Sequence, residues 1–169
     1  GSNGLLGTLS VQNGTLKLGN RFATTPQTTA LVLNDRGSLD VNGDSATVAS
    51  LAGNGTIGNG STSAAGNINI NGTATTTFSG NIVNGINGGT QTTSLTKSGT
   101  GTLTLSNIVA NNINAGNNTF TGGTTLNQGI LTVQHPLALG TGAVNLVGGT
   151  LNLNSNGSGP NGTIILGDQ

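Results

Sequence analysis

A five-residue pattern recurs through this chain: a Gly, any residue, an apolar residue, a polar residue and another apolar residue. It reads GTLKL from Gly14, GSLDV from Gly37, GNINI from Gly66, GTLTL from Gly101, GILTV from Gly129, GAVNL from Gly142 and GTLNL from Gly149. Side chains two apart share one face of a strand, so each copy is a short period-two strand opened by a turn residue. One face then carries Leu16/Leu18, Leu39/Val41, Ile68/Ile70, Leu103/Leu105, Leu131/Val133, Val144/Leu146 and Leu151/Leu153. The other carries Thr15/Lys17, Ser38/Asp40, Asn67/Asn69, Thr102/Thr104, Ile130/Thr132, Ala143/Asn145 and Thr150/Asn152. The first set is the expected core and the second the expected solvent face, Asp40 included.

No stretch has the 3.6-residue apolar stripe of a helix, and Gly, Asn and Thr are poor helix formers at this density. The fold class is therefore all-β. Strands of three to five residues bury little alone, and three Phe with no Trp or Tyr make a poor sandwich core. Such strands have to stack on copies of themselves, which is the logic of a β-solenoid. The motif spacing gives irregular coils of about 20–25 residues. At about 22 residues a coil, 169 residues make roughly seven or eight rungs, a rod about 35–40 Å long at the usual strand separation. Gly122, Gly123 and Gly129 are expected at corners, where positive φ costs Gly little. Phe120, Leu126 and Leu131/Val133 are expected to point inward from successive sides of one coil.

Only 5% of the residues are charged and the formal net charge is zero, so counterion release from a phosphate backbone has nothing to work with and nucleic acid is excluded as a partner. Disorder needs high net charge and low hydrophobicity, and recurrent Leu, Ile and Val argue against it. Absence of Cys removes disulfides and thiolate metal sites. No run approaches the roughly 18 apolar residues of a membrane-spanning helix, so no membrane insertion by this segment is expected.

Residues 95–153 resemble the passenger-associated repeat of bacterial autotransporters. Three motifs carry the likeness in order: LTKSGTGTLTLS (95–106), NTFTGGTTLNQGILTV (118–133) and ALGTGAVNLVGGTLNL (138–153). VASLAGNGTIG (48–58) and TFSGNI (77–82) are similar to segments that precede such repeats, while NIVANNINAG (107–116) departs as an insertion. The resemblance implies a right-handed, single-stranded parallel β-helix, residues 1–169 being one segment of a longer passenger. It also implies a bacterial cell-surface or secreted location, reached through a translocator barrel elsewhere in the parent chain. Repeats of this kind support export and display functional parts found elsewhere, without catalysing.

The residues that could carry chemistry are few. His135 is the only His, stands between Gln134 and Pro136, and reads as a turn residue after the strand ending at Val133. The acids are Asp35, Asp40, Asp44 and Asp168. Glycoside hydrolysis needs two carboxyls across the scissile bond, and only Asp35, Arg36 and Asp40 cluster; alternation places Asp40 outward, so this group reads as solvated charge. DVNGDS (40–45) starts like a Ca²⁺ loop with Asp40, Asn42 and Asp44, but Ser45 stands where the turn Gly belongs and Leu51 where a bidentate Glu belongs. It reads as a polar turn. No catalytic, cofactor-binding or metal residue is assigned, and no cofactor is expected.

These readings favour a non-catalytic stalk or adhesin scaffold that aids secretion and folding. The alternatives are a host-glycan or extracellular-matrix ligand, end-to-end self-association through unpaired strand edges, and ice binding through Thr and Asn arrays. Lys17, Asp40 and Ile130 interrupt any such array, which counts against ice binding.

Overall fold

In a computed structural model, the described residues are 7–19, 29–106 and 118–154. The insertion at 107–116, Arg21 and Asp168 fall outside them. In chain order the strands are β1 (Gly7–Lys17), β2 (Thr29–Asp40), β3 (Ser45–Val48), β4 (Ser50–Gly53) and β5 (Thr56–Asn59). Next come β6 (Gly66–Ile70), β7 (Thr75–Phe78), β8 (Asn81–Gly85), β9 (Thr93–Lys97) and β10 (Thr102–Leu105). The last are β11 (Thr124–Leu126), β12 (Ile130–Val133), β13 (Val144–Leu146) and β14 (Thr150–Leu153). There is no helix among the described residues.

Every pairing is parallel, and each coil visits three stacks in the same order. The first stack runs β1–β2–β4–β7–β10–β12–β14 and the third runs β3–β6–β9–β11–β13. β2 is long enough to serve two stacks: residues 30–33 pair with β4 and residues 38–40 with β5. Its second half, with that of β1, opens the second stack and leads to β5 and β8. Residues 118–121 continue this stack, the Thr119 N–H donating to Ile82 O at 3.0 Å.

The register gives the coil lengths directly. Leu9 sits opposite Leu31, Leu31 opposite Leu51, Gly53 opposite Phe78, Thr76 opposite Leu103, Leu103 opposite Leu131 and Leu131 opposite Leu151. The steps are thus 22, 20, 25, 27, 28 and 20 residues, about six turns of solenoid. Among the described residues the first stack thus holds seven rungs, and two of its coils, at 27 and 28 residues, exceed the expected length of about 20–25 because they carry long corners.

The interior consists of ladders of like side chains. Leu31, Leu51, Leu103 and Leu131 are all within 1% of full burial, as are Leu33, Phe78, Leu105 and Val133 on the neighbouring file. Gly53 stands between Leu33 and Phe78 in that file, so a position without a side chain precedes the bulkiest one. Phe120, Leu126, Leu131 and Val133 are buried from three successive sides of one coil, as the period-two reading expects. Of the other expected core residues, Leu16, Val144 and Leu151 are half-buried, while Leu146 is 55% exposed and Leu153 48%. The two exposed ones belong to β13 and β14, the last described strands of their stacks, and no described coil covers their far side.

Corners obey two rules. Gly123 (φ 88°) and Gly129 (φ 77°) adopt the left-handed conformation that side chains resist. Gly122 does not; there a Cβ would lie 2.4 Å from Thr93 O of the coil below, so the need is for close approach. The same constraint forms a file between the first and second stacks. A Cβ at Gly37 would lie 2.0 Å from Val11 O, at Gly55 2.2 Å from Gly37 O, and at Gly80 1.9 Å from Gly55 O.

Two substitutions test this arrangement. Gly55→Ala should lower the unfolding free energy by about 1–3 kcal/mol, the usual penalty of overpacking, measured by urea denaturation. Leu103→Asp should cost about 3–5 kcal/mol, since an uncompensated charge enters a dry ladder, whereas half-buried Leu151→Asp should cost clearly less.

Candidate functional site

The third stack contains a residue that alternation alone makes apolar. Ile70, Lys97 and Leu126 occupy one inward file, each in register with the next. Lys97 is nevertheless a lysine, only 1% exposed and among the largest fully buried side chains. Its stem substitutes for an aliphatic rung, and its Nζ reaches the corner beyond the strand. There it donates to Gly99 O of its own coil and to Gln128 O of the next, the latter at 3.4 Å. No ion pair to Lys97 is present among the described residues. Burial holds the ammonium below the usual lysine range, because desolvation penalises the charged form.

The backbone around Lys97 is organised to receive it. Asn127 and Gln128 both donate their N–H groups to Lys97 O, at 2.8 and 3.3 Å. Gly129 follows in the left-handed conformation, and a Cβ there would lie 2.8 Å from Nζ. A lysine with carbonyl partners and no acid is therefore a clasp between two successive corners. Its role in the fold is that of a hydrogen-bond donor.

At the corner between the second and third stacks, buried amides do similar work. Asn59 is fully buried; its Oδ1 accepts from Gly43 N–H (2.8 Å) and Ser61 N–H (3.0 Å), and its Nδ2 donates to Ala64 O (2.9 Å) and Thr92 O (3.0 Å). Asn118, also fully buried, accepts from Ile82 N–H at 2.7 Å and donates to Ala138 O at 2.6 Å. Each amide joins coils that are neighbours in the stack, satisfying backbone groups that a corner leaves without strand partners.

Asp40 belongs to this corner, and its placement corrects the outward, solvated position expected from alternation. It is fully buried, with Oδ1 accepting from Asn42 N–H (2.9 Å) and Gly60 N–H (2.6 Å). The chain turns sharply just beyond it, through Asn42 (φ 49°) and Gly43 (φ 81°), and the carboxylate folds over the bend. Gly60 makes room, since a Cβ there would lie 2.2 Å from Oδ2. Alternation cannot reveal this, because it holds only while the strand continues. The Oδ2 atoms of Asp40 and Asp44 are buried without a hydrogen-bond partner. Among the described residues no group of three or more His, Cys, Asp or Glu is placed to hold a metal ion.

The other singled-out residues are not brought together. Asp35 and Arg36 are exposed at the bend of β2, Asp35 accepting from Asn54 Nδ2, while Asp40 is buried away from solvent. His135 lies in the turn after β12; its Nδ1 accepts from Leu137 N–H at 3.2 Å, and Ala138 N–H donates to its carbonyl at 3.1 Å. Burial lowers its pKa, which favours the neutral acceptor form. Sequence reasoning missed Lys97; a cation at an inward position of a period-two strand was the available signal.

A parallel, three-sided β-solenoid with ladder cores is a structural class of repeat protein. Residues 95–133 match the family model described as Passenger-associated-transport-repeat. That match and the solenoid together fit a passenger repeat of bacterial autotransporters. It runs from β9 through β12 and contains the first two quoted motifs; the third, 138–153, lies beyond it. No curated protein and no solved structure matches the chain. Lys97 and Gln128 lie near the two ends of the matched residues, so the clasp closes one repeat upon itself.

The clasp has an alkaline signature. The chain has no Tyr or Cys, and its lysines are Lys17 and Lys97. Lys17 is exposed. A lysine whose folded pKa is lowered leaves the unfolded state holding more protons between that pKa and 10.5, so unfolding free energy should rise as pH approaches 10.5. Lys97→Met should remove this rise while keeping stability at pH 7 within about 1 kcal/mol or improving it. Lys97→Ala, which empties the rung, should cost about 2–5 kcal/mol. Urea titrations at pH 7 and 10 read all three.

Proposed function

We propose that this chain is a non-catalytic segment of an autotransporter passenger, a rigid spacer displayed at the bacterial surface or released from it, which assists its own export by folding coil upon coil. The observation that carries this reading is the transport-repeat match lying within a stack of coils that share one buried, mainly apolar core. A stack of this kind gains stability one rung at a time, from contacts with the coil already in place. Such a chain can fold as it emerges and need not wait for its far end.

The experiment joins the chain, with a tag at its N-terminal end, to an autotransporter barrel in a Gram-negative host. The wild-type fusion should display the tag, and Leu103→Asp within the matched repeat should slow its appearance at least severalfold. Equal display of both would defeat the assisted-export role. As a second reading, the open strand edges of a parallel solenoid favour head-to-tail association of copies, and Leu146, Val147 and Leu153 are exposed apolar residues on the last described coil. Light scattering should then grow with concentration and fall in Leu153→Lys; a monomer at every concentration rejects it.

A further inference from the structure

The outer side of the first stack changes character along the solenoid. Over β7, β10, β12 and β14 the outward residues form two registered files: Thr75, Thr102, Ile130 and Thr150 in one, and Thr77, Thr104, Thr132 and Asn152 in the other. Lys17 and Asp40, which on sequence grounds interrupt any such array, pair with each other's strands in the second stack and lie outside it. Ile130 remains within the files and contributes methyl groups, as the threonines also do.

We propose that this face orders water into an ice-like layer and is an ice-binding surface. Parallel strands fix hydroxyls about 4.8 Å apart along the solenoid axis, and alternate residues about 6.6 Å apart along each strand. These two repeats lie near the oxygen repeats on the prism plane of hexagonal ice. The face bears no charged side chain, so nothing on it would bind a firmly oriented hydration shell of another geometry. Among the described residues, the hydroxyls of its six threonines have no hydrogen-bond partner in the protein.

The third stack shows the contrast. There Ser94 and Thr96 both donate to Asn67 Oδ1, at 2.9 and 3.0 Å, and Asn67 Nδ2 donates to Ser45 Oγ at 3.1 Å. That surface spends its polar groups on itself, whereas the threonine hydroxyls make no bond within the protein; Thr75, Thr77 and Thr150 are exposed, Thr102 and Thr104 half-buried, and Thr132 is 9% exposed. Other occupants fit less well. Protein partners favour Trp, Tyr and Arg anchors, and sugar polymers favour aromatic platforms; none of these stands among the eight residues.

The inference is independent of the passenger reading. Its test is ice-affinity partitioning and ice-recrystallisation inhibition by the purified chain, with Thr104→Lys at the centre of the face and Thr125→Lys on the third stack of the same region as control. Circular dichroism checks that both variants keep the β-signal, which outward substitutions should leave intact. Wild type and Thr125→Lys should enter the ice and restrain grain growth, and Thr104→Lys should lose at least tenfold of that effect. Exclusion of the wild-type chain from ice overturns the proposal, as does equal activity or equal loss in a folded Thr104→Lys and Thr125→Lys.

Discussion

Everything in this structure follows from the separation of about 4.8 Å that parallel backbone hydrogen bonds impose between neighbouring strands. Within a strand that separation is comfortable, because side chains project away from the bonding direction. At a corner the chain turns, and a Cβ can point straight at the coil below. Gly37, Gly55 and Gly80 mark where this happens repeatedly, each with a carbonyl of the previous coil in the place a methyl group would take. The abundance of Gly is thus a steric demand of stacking, and left-handed conformations such as Gly123 and Gly129 account for only part of it.

The same separation decides what the interior can contain. Identical positions of successive coils meet face to face, so a ladder works when every rung is aliphatic and of similar size. Lys97 shows how far the rule bends. Its four-carbon stem meets the packing requirement of an inward file between Ile70 and Leu126, and the strand ends soon enough for the ammonium to find carbonyl oxygens.

Sequence period was enough to read the strands, their inner faces and the stacking, because each of these depends on residues two apart or on recurrence of one short pattern. Leu103, Leu105, Leu131 and Val133 are as buried as that pattern requires. What could not be read depends on residues distant in sequence. Asp40 is buried by a bend beginning two residues later and by Gly60 a coil away. The partition of outward residues among three stacks was equally hidden, since a strand pattern gives in and out but not which side of the coil. That is why Lys17, Asp40 and Ile130 looked like members of one surface and are not.

The unequal coil lengths carry a wider meaning. Between 20 and 28 residues separate equivalent rungs, yet the register on the first stack is kept throughout. The fold therefore counts position by rung, and material added at a corner leaves every later rung where it was. A chain built this way can gain or lose a whole coil, or acquire a new loop, without renegotiating its core. Innovation at the edges is uncoupled from the architecture that carries it.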